Sequence, residues 1–450
     1  MVGLPPPRQA RAYRHQSDQL PTLHSILKTA RSGFLSHRYL RLLLVAIAIA
    51  GCLFAIRSAA AFGFSRLLVT YSLTARNLAA AKKAIQLTPN DAEAHLAGAA
   101  MLSLSDTPAQ SMSEIEQAVA LRPAEYGLWS ELGLLRDQAG DTAGALAAFD
   151  EAIKRAPFYS APRWNRGNVL LRMGQYESAF KDLSQAAQSN PELLPSLIDL
   201  AWGVSRSDMR LTEQLAQIKT DKTRIAFARF LARHGKASEA VAQLGDARDV
   251  PVAIRREVVE QLLAKGAFRE AFDIWKATHG AEAGNKQPSI YDGGFESPLT
   301  FSAGGFGWRV SREQGASISL DASQPHSGAR DLRVEFGGNS NPDSPLISQI
   351  ILVEPSTHYQ VNFASRSQDV VSGGLPLLTA SDAAGEQKRL GQSSPLTKGN
   401  SDWKSFSFEF TTTPTTNAVV LVLQRENCTT SPCPIFGAIS LDSFSIEQLK

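Results

Sequence analysis

Residues 123–157 read PAEYGLWSELGLLRDQAGDTAGALAAFDEAIKRAP, and residues 157–191 read PFYSAPRWNRGNVLLRMGQYESAFKDLSQAAQSNP. Both stretches open and close on proline. Pro89, Pro123, Pro157 and Pro191 keep a constant stride of 34 residues. The same stride separates Gly133 from Gly167, Gly140 from Gly174, and Ala145 from Ala179, and it links Ala118, Ala152 and Ala186. A larger apolar side chain recurs with it at Ile115, Phe149 and Leu183. What repeats is side-chain size, so the unit predicted is one supersecondary element stacked on copies of itself.

Each position has a physical reason. Two antiparallel helices cross most closely where the side chains are small, which suits Gly133 with Ala145 and Gly167 with Ala179. Trp129 and Phe149 fill the gaps beside the crossing. Gly140 and Gly174 fall in the turn between helices, where a positive φ is needed. Each proline closes a second helix, because it cannot continue one, while Pro162 and Pro195 suit the first turn of the next.

A period of 34 with these residue types resembles the tetratricopeptide repeat. The resemblance covers residues 92–193 as three good repeats, with Ala81 and Ala84 as the second helix of an earlier one. Beyond 194 it loosens. Phe227-Ala228, Gly235, Ala240, Leu244 and Ala247 fit one further unit, and Val258-Val259, Gly266, Ala271 and Trp275 a last one. Residues 204–220 depart most and read as a shortened repeat, and the loosened end units suit a solenoid cap. The helical repeat domain is thus expected over 68–283. The resemblance implies a concave face that holds a protein or peptide partner. Its candidate lining is Glu131, Arg136, Asn165, Asn168 and Arg172, which would otherwise be a solvated face. No repeat shows the Lys and Arg cluster that clamps a peptide carboxylate.

Upstream, Leu42 to Ile56 carries no charge over fifteen residues, about 22 Å of helix. Adding Ser58–Phe64 lets 39–64 span a bilayer, with Arg57 snorkelling at the far side. Seven Lys or Arg against one acid (Asp18) in residues 1–41 hold that tail in the cytoplasm and send the rest across the membrane. A single-pass bacterial inner-membrane protein with periplasmic C-terminal domains is expected, and residues 1–38 read as a disordered basic tail. Two alternatives stay open: Ala59-Ala60-Ala61 resembles a signal-peptidase site, and Ile49-Ala50-Gly51-Cys52 a lipoprotein box. Formal net charge is only +3, too small to make nucleic acid the partner.

Near residue 284 helix formers give way to Gly, Ser, Thr and Pro around short alternating runs such as Leu332–Phe336, Tyr359–Phe363 and Phe406–Phe410. Period two with frequent turns predicts an antiparallel β-sandwich over 284–450, a jelly roll. The whole is multidomain α plus β: one transmembrane helix, an α-α repeat superhelix, then the sandwich. Asp292–Pro298, Gly307-Trp308, His326–Val334, Val353–Tyr359, Trp403 and Leu441–Ile446, in that order, resemble a carbohydrate-binding module of the galactose-binding-like group. That resemblance implies a glycan surface, with Trp308, Tyr359 and Trp403 as candidates and Tyr291 and Phe306 as further aromatic supply. In a sandwich such residues mostly fill the core, Trp308 and Trp403 among them. It also implies a structural calcium, with Glu296 and Asp442 on the matching positions, although no cofactor is required. Cys428 and Cys433 form a local pair suited to a disulfide in an oxidising compartment.

No catalytic motif stands out: the eight histidines are dispersed, and Ser401–Lys404 leads into a strand that would point its serine and lysine to opposite faces. The expectation is a non-enzymatic scaffold that recruits a protein, with a glycan-binding accessory protein of cell-envelope or exopolysaccharide assembly as the alternative.

Overall fold

The computed structural model describes residues 38–105, 107–279, 288–299, 305–312, 315–384, 388–426, 428 and 432–450. The expected tail, 1–38, falls outside them except for its last residue. The chain divides into two compact units, Met1–Met173 and Gly174–Lys450.

The first unit opens with one uninterrupted helix, α1 (Arg38–Ala75), followed by α2 (Leu78–Leu87), α3 (Ala92–Ser103), α4 (Pro108–Leu121), α5 (Tyr126–Gln138), α6 (Thr142–Arg155) and α7 (Ser160–Arg172). The prolines act as expected: α2, α4 and α6 each end two residues before one, at Leu87, Leu121 and Arg155. A residue preceding proline is driven out of the helical region, so the helix stops there. Side-chain caps start the next segments, with Asn77 accepting from the Ala80 amide, Asp91 from Glu93 and Asp141 from Gly144. Gly140 turns at φ 79°.

Recurrent size becomes recurrent packing. Ile115, Phe149, Ala118, Ala152 and Ala145 are all fully buried. At Gly133 a methyl group would come within 2.6 Å of the Phe149 ring, so only glycine lets α5 and α6 approach. The earlier repeat is present as well, but its first helix is the end of α1. Ser65, Val69 and Ser72 are buried against α2, and the Ser65 hydroxyl bonds the Ala84 carbonyl (3.2 Å) and Thr88 Oγ1 (2.6 Å). The expected boundary after residue 64 therefore falls inside a continuous helix. Leu40–Ala75 is, among the described residues, the one helix long and apolar enough to cross a membrane.

The second unit carries α8 (Tyr176–Ser189), α9 (Leu194–Val204), the seven-residue α10 (Met209–Leu215), and the hairpins α11 (Asp221–Arg233) with α12 (Ala237–Gly245) and α13 (Val252–Ala264) with α14 (Phe268–His279). The shortened element sits where the pattern departs. Arg206, Ser207 and Gln217 take positive φ on either side of α10, and Thr212 is buried against the Ser205 hydroxyl at 2.7 Å.

Two five-stranded antiparallel sheets follow. One runs β1 (Arg309–Val310), β4 (Ile347–Leu352), β9 (Ala418–Arg425), β6 (Pro376–Asp382), β7 (Arg389–Gln392). The other runs β2 (Ala316–Asp321), β3 (Asp331–Gly338), β10 (Ile435–Gln448), β5 (His358–Ser372), β8 (Gly399–Thr411). Alternate residues of each strand meet in one apolar core that includes Leu332, Val334, Val361, Phe363, Leu421 and Ile439. Cys428 and Cys433 are bonded, with Cα atoms 5.6 Å apart. Buried Arg425 ties their loop down, donating to the carbonyls of Ser340 and Cys433 and to Ser372 Oγ.

Candidate binding sites

Glu131 and Asn165 hold the same place in successive repeats, 34 residues apart, on the neighbouring helices α5 and α7. Glu131 is half-buried, has no partner among the described residues, and burial pushes its carboxyl up from the ordinary value. Asn165 is likewise half-buried with its amide uncommitted among the described residues. Asn168 and Arg172 continue the Asn165 stripe at helical spacing. Asn168 donates to the Trp164 carbonyl (2.9 Å), and Arg172 is pinned to Asp137 (2.6 Å). Arg136 is a correction. Five residues from Glu131, it points about 140° round the helix, and it bonds Glu116 at 3.0 Å and the Gly144 carbonyl at 3.4 Å. It braces α4 and α6 rather than lining the stripe.

The aromatic candidates separate cleanly. Trp308 is core, 5% exposed, and its indole donates to the Asp292 carbonyl (3.0 Å). Tyr359 is fully buried, and its hydroxyl accepts the Glu354 amide (2.8 Å). Tyr359 offers no ring face, which removes it from the glycan set, and Trp308 sits in the core as the sandwich pattern leads one to expect. Trp403 is the reverse case: expected in the core, it lies half-exposed on the outer face of the β2-β3-β10-β5-β8 sheet. Its indole donates to the Gln324 carbonyl (3.1 Å), the Arg366 guanidinium sits 5.4 Å over the ring, and the His326 ring is 5.4 Å away. Arg366 also bonds the Gln324 side chain. An indole fixed by its own N–H, with cationic and amide groups round it, can stack on the C–H face of a sugar while the polar rim reaches hydroxyls. Phe306 is buried against Phe272 and Trp275, and Tyr291 packs on Trp275 and His279.

Along the same outer face, Asp331 lies between Asp321 and the Asp442 end of β10. It is wholly buried, and neither carboxylate oxygen finds a partner among the described residues. Burial first, and then the charges of Asp321 and Asp442, raise its pKa. The calcium positions lie at the neighbouring corner. Glu296 accepts from the amides of Ala329 (2.7 Å) and Arg330 (3.4 Å), and Asp442 from those of Ser327 (2.8 Å) and Ser443 (2.5 Å). The loop 326–330 thus meets both carboxylates with N–H donors, where a hard cation needs open oxygens. Among the described residues no group of three or more His, Cys, Asp or Glu could hold a metal. The corner as built is a hydrogen-bonded clasp in which the 326–330 amides bond one oxygen of Glu296 and one of Asp442.

The chain thus joins repeated helical hairpins to a two-sheet sandwich. Residues 162–193 match the family described as Tetratricopeptide repeat, and residues 287–431 that described as Carbohydrate binding domain. Protein FlbA of Caulobacter vibrioides is 30% identical over 101 residues, which is 22% of this chain and 17% of FlbA, so the chain spans about a sixth of that relative. Among solved structures, PilF of Pseudomonas aeruginosa aligns over 49% of this chain and 99% of its own at 18% identity and TM-score 0.32. YrrB, described as a TPR protein with an unusual peptide-binding site, aligns over 41% of this chain and 86% of its own at 14% identity and TM-score 0.29.

Proposed function

We propose that the chain is a membrane-anchored scaffold: its repeats hold a protein segment and its sandwich holds glycan, on the periplasmic side of a bacterial inner membrane. The observation that carries the anchor is the double character of α1. Leu42, Leu43, Val45, Ile47, Ile49, Leu53, Phe54 and Ile56 are all exposed, whereas Ser65, Val69 and Ser72 are buried by α2. A helix of 38 residues is about 57 Å long, and a bilayer core takes about 30 Å. Residues 40–60 fill that thickness, leaving Arg57 at the far interface and the first hairpin a turn or two beyond. The first repeats then follow the span with no flexible linker, so the membrane fixes their direction. The basic residues of the tail set the orientation.

The repeat stripe with its uncommitted Glu131 and Asn165 supports recognition of a protein segment, and the unpaired carboxylate favours a cationic side chain from that partner. The Trp403 surface supports glycan binding and favours the second reading, an accessory of cell-envelope or exopolysaccharide assembly. Both readings make the protein a non-enzyme that requires no metal. External protease tests the placement: cleavage within 65–450 from the periplasmic side is expected, and full protection of that part overturns it. Polysaccharide affinity gels test the glycan reading. Retardation that Trp403→Ala abolishes supports it, and no retardation by any polysaccharide removes it.

A further inference from the structure

Within the second unit the sandwich is fastened to the last helical hairpin. Phe306 meets Phe272 edge-on (5.0 Å) and Tyr291 meets Trp275 edge-on (5.0 Å). Glu260 of α13 accepts from the Gly305 amide (2.9 Å) and pairs with Arg309 (3.3 Å), while Arg269 pairs with Glu354 (3.1 Å). Gly305, at φ 88°, must be glycine, since a methyl there would lie 2.5 Å from the Trp275 indole. Beside this seam lies a cavity of about 320 Å³, with one wall from α13 and α14 and the other from the opening segment of the sandwich. That volume is at the lower end of small-molecule sites.

Its lining has an unusual chemistry. Arg255 and Arg256 both line it, and among the described residues neither guanidinium has a hydrogen-bond or ion-pair partner. Arg255 closes the first turn of α13, which holds no acidic residue to offset the helix dipole, and Arg256 follows it on the exposed side. Opposite them is Asp292, half-buried and pushed up in pKa by burial, its carboxylate accepting the amides of Glu296 (2.8 Å) and Ser297 (3.2 Å), with the Ser297 hydroxyl and a Thr278 hydroxyl that donates to the Trp275 carbonyl (2.7 Å) beside it. Val259, Leu299 and the rings of Trp275, His279, Tyr291 and Trp308 also line it. Two unpaired cations call for an anion. A carboxylate and hydroxyls on the other side call for a ligand that also donates hydrogen bonds, and the ring and aliphatic surfaces call for a C–H face.

We propose that this seam cavity binds a carboxylate-bearing sugar, a hexuronate unit of an acidic glycan, with Arg255 and Arg256 on its carboxylate and Asp292, Ser297 and Thr278 on its hydroxyls. A sugar acid supplies all three features at once, whereas a simple inorganic anion supplies only the first. The inference rests on the glycan reading above but uses a surface separate from Trp403, so the two can fail independently.

The test is calorimetric titration of the full chain in nanodiscs with tri-galacturonate, with maltotriose as the neutral control. Tri-galacturonate binds and maltotriose does not. The Arg255→Ala/Arg256→Ala variant weakens tri-galacturonate by about tenfold or more, as the loss of charge-assisted bonds requires. Arg255→Lys/Arg256→Lys keeps the charge and retains part of the affinity, which guards against a folding defect in the alanine variant. Absence of tri-galacturonate binding, equal binding of maltotriose, or full affinity in the alanine variant overturns the proposal. Loss of binding on Trp403→Ala moves the acidic sugar to the outer sheet face and overturns it too.

Discussion

The contact between Gly133 and Phe149 carries the repeat geometry and can be tested as a pair. Phe149 is fully buried, so Phe149→Ala leaves a ring-sized hole and costs about 3–5 kcal/mol. Gly133→Ala places a methyl 2.6–2.9 Å from three ring carbons of Phe149, and the overpacking costs about 1–3 kcal/mol. In the double variant the new methyl occupies space the ring has vacated. The two costs then do not add, and the double variant is more stable than their sum by about 1 kcal/mol or more. Native-state hydrogen exchange of α5 and α6 amides in the full chain reads these local free energies without assuming that the whole array unfolds in one step. Simple additivity within about 0.5 kcal/mol would refute the account of why glycine stands at this position.

Other outcomes follow from single sites. Asp331→Asn stabilises the sandwich at neutral pH. A buried carboxylate with a raised folded pKa binds its proton more tightly when folded, so stability falls as pH rises above the unfolded value of 3.8, and melting curves of the variant lose that slope. Replacing Cys428 and Cys433 by serine costs about 2 kcal/mol, as expected for a short closed loop, and thermal melting with and without reductant measures it. Asp91→Ala removes the cap of α3 and a shared partner of Arg66 and Arg122, lowering protection of α3 amides by about 1–2 kcal/mol. Chelator leaves the melting temperature of the full chain unchanged, because amides already hold Glu296 and Asp442.

Much of the fold was legible because what recurs is size. Ile115, Phe149 and Leu183 are buried at one position, and the helices end ahead of Pro89, Pro123 and Pro157 for a local steric reason that sequence displays directly. The overlap of span and repeat was not legible. In α1 the buried Ser65, Val69 and Ser72 sit among apolar neighbours, so hydropathy merges the two roles. The exposure of Trp403 could have been read from strand parity. It stands three residues from Phe406, whose alternates Phe408 and Phe410 face the core. Trp308 and Tyr359 are core for the same reason that makes the sandwich recognisable: Trp308 was expected there, and motif matching alone put Tyr359 on a surface. The Arg255–Arg256 cavity was out of reach, because Tyr291 and Asp292 come to it from across a domain seam that spacing does not reveal.

The most direct measurement is photo-crosslinking from the repeat stripe in native membranes. A photoreactive side chain at Asn165, half-buried on α7, should give one discrete protein adduct, and Glu131→Gln should weaken it. The same probe at Lys154, exposed on α6, should give none. Equal adducts from both positions, or none from Asn165, would contradict a scaffold that grips its partner along that stripe.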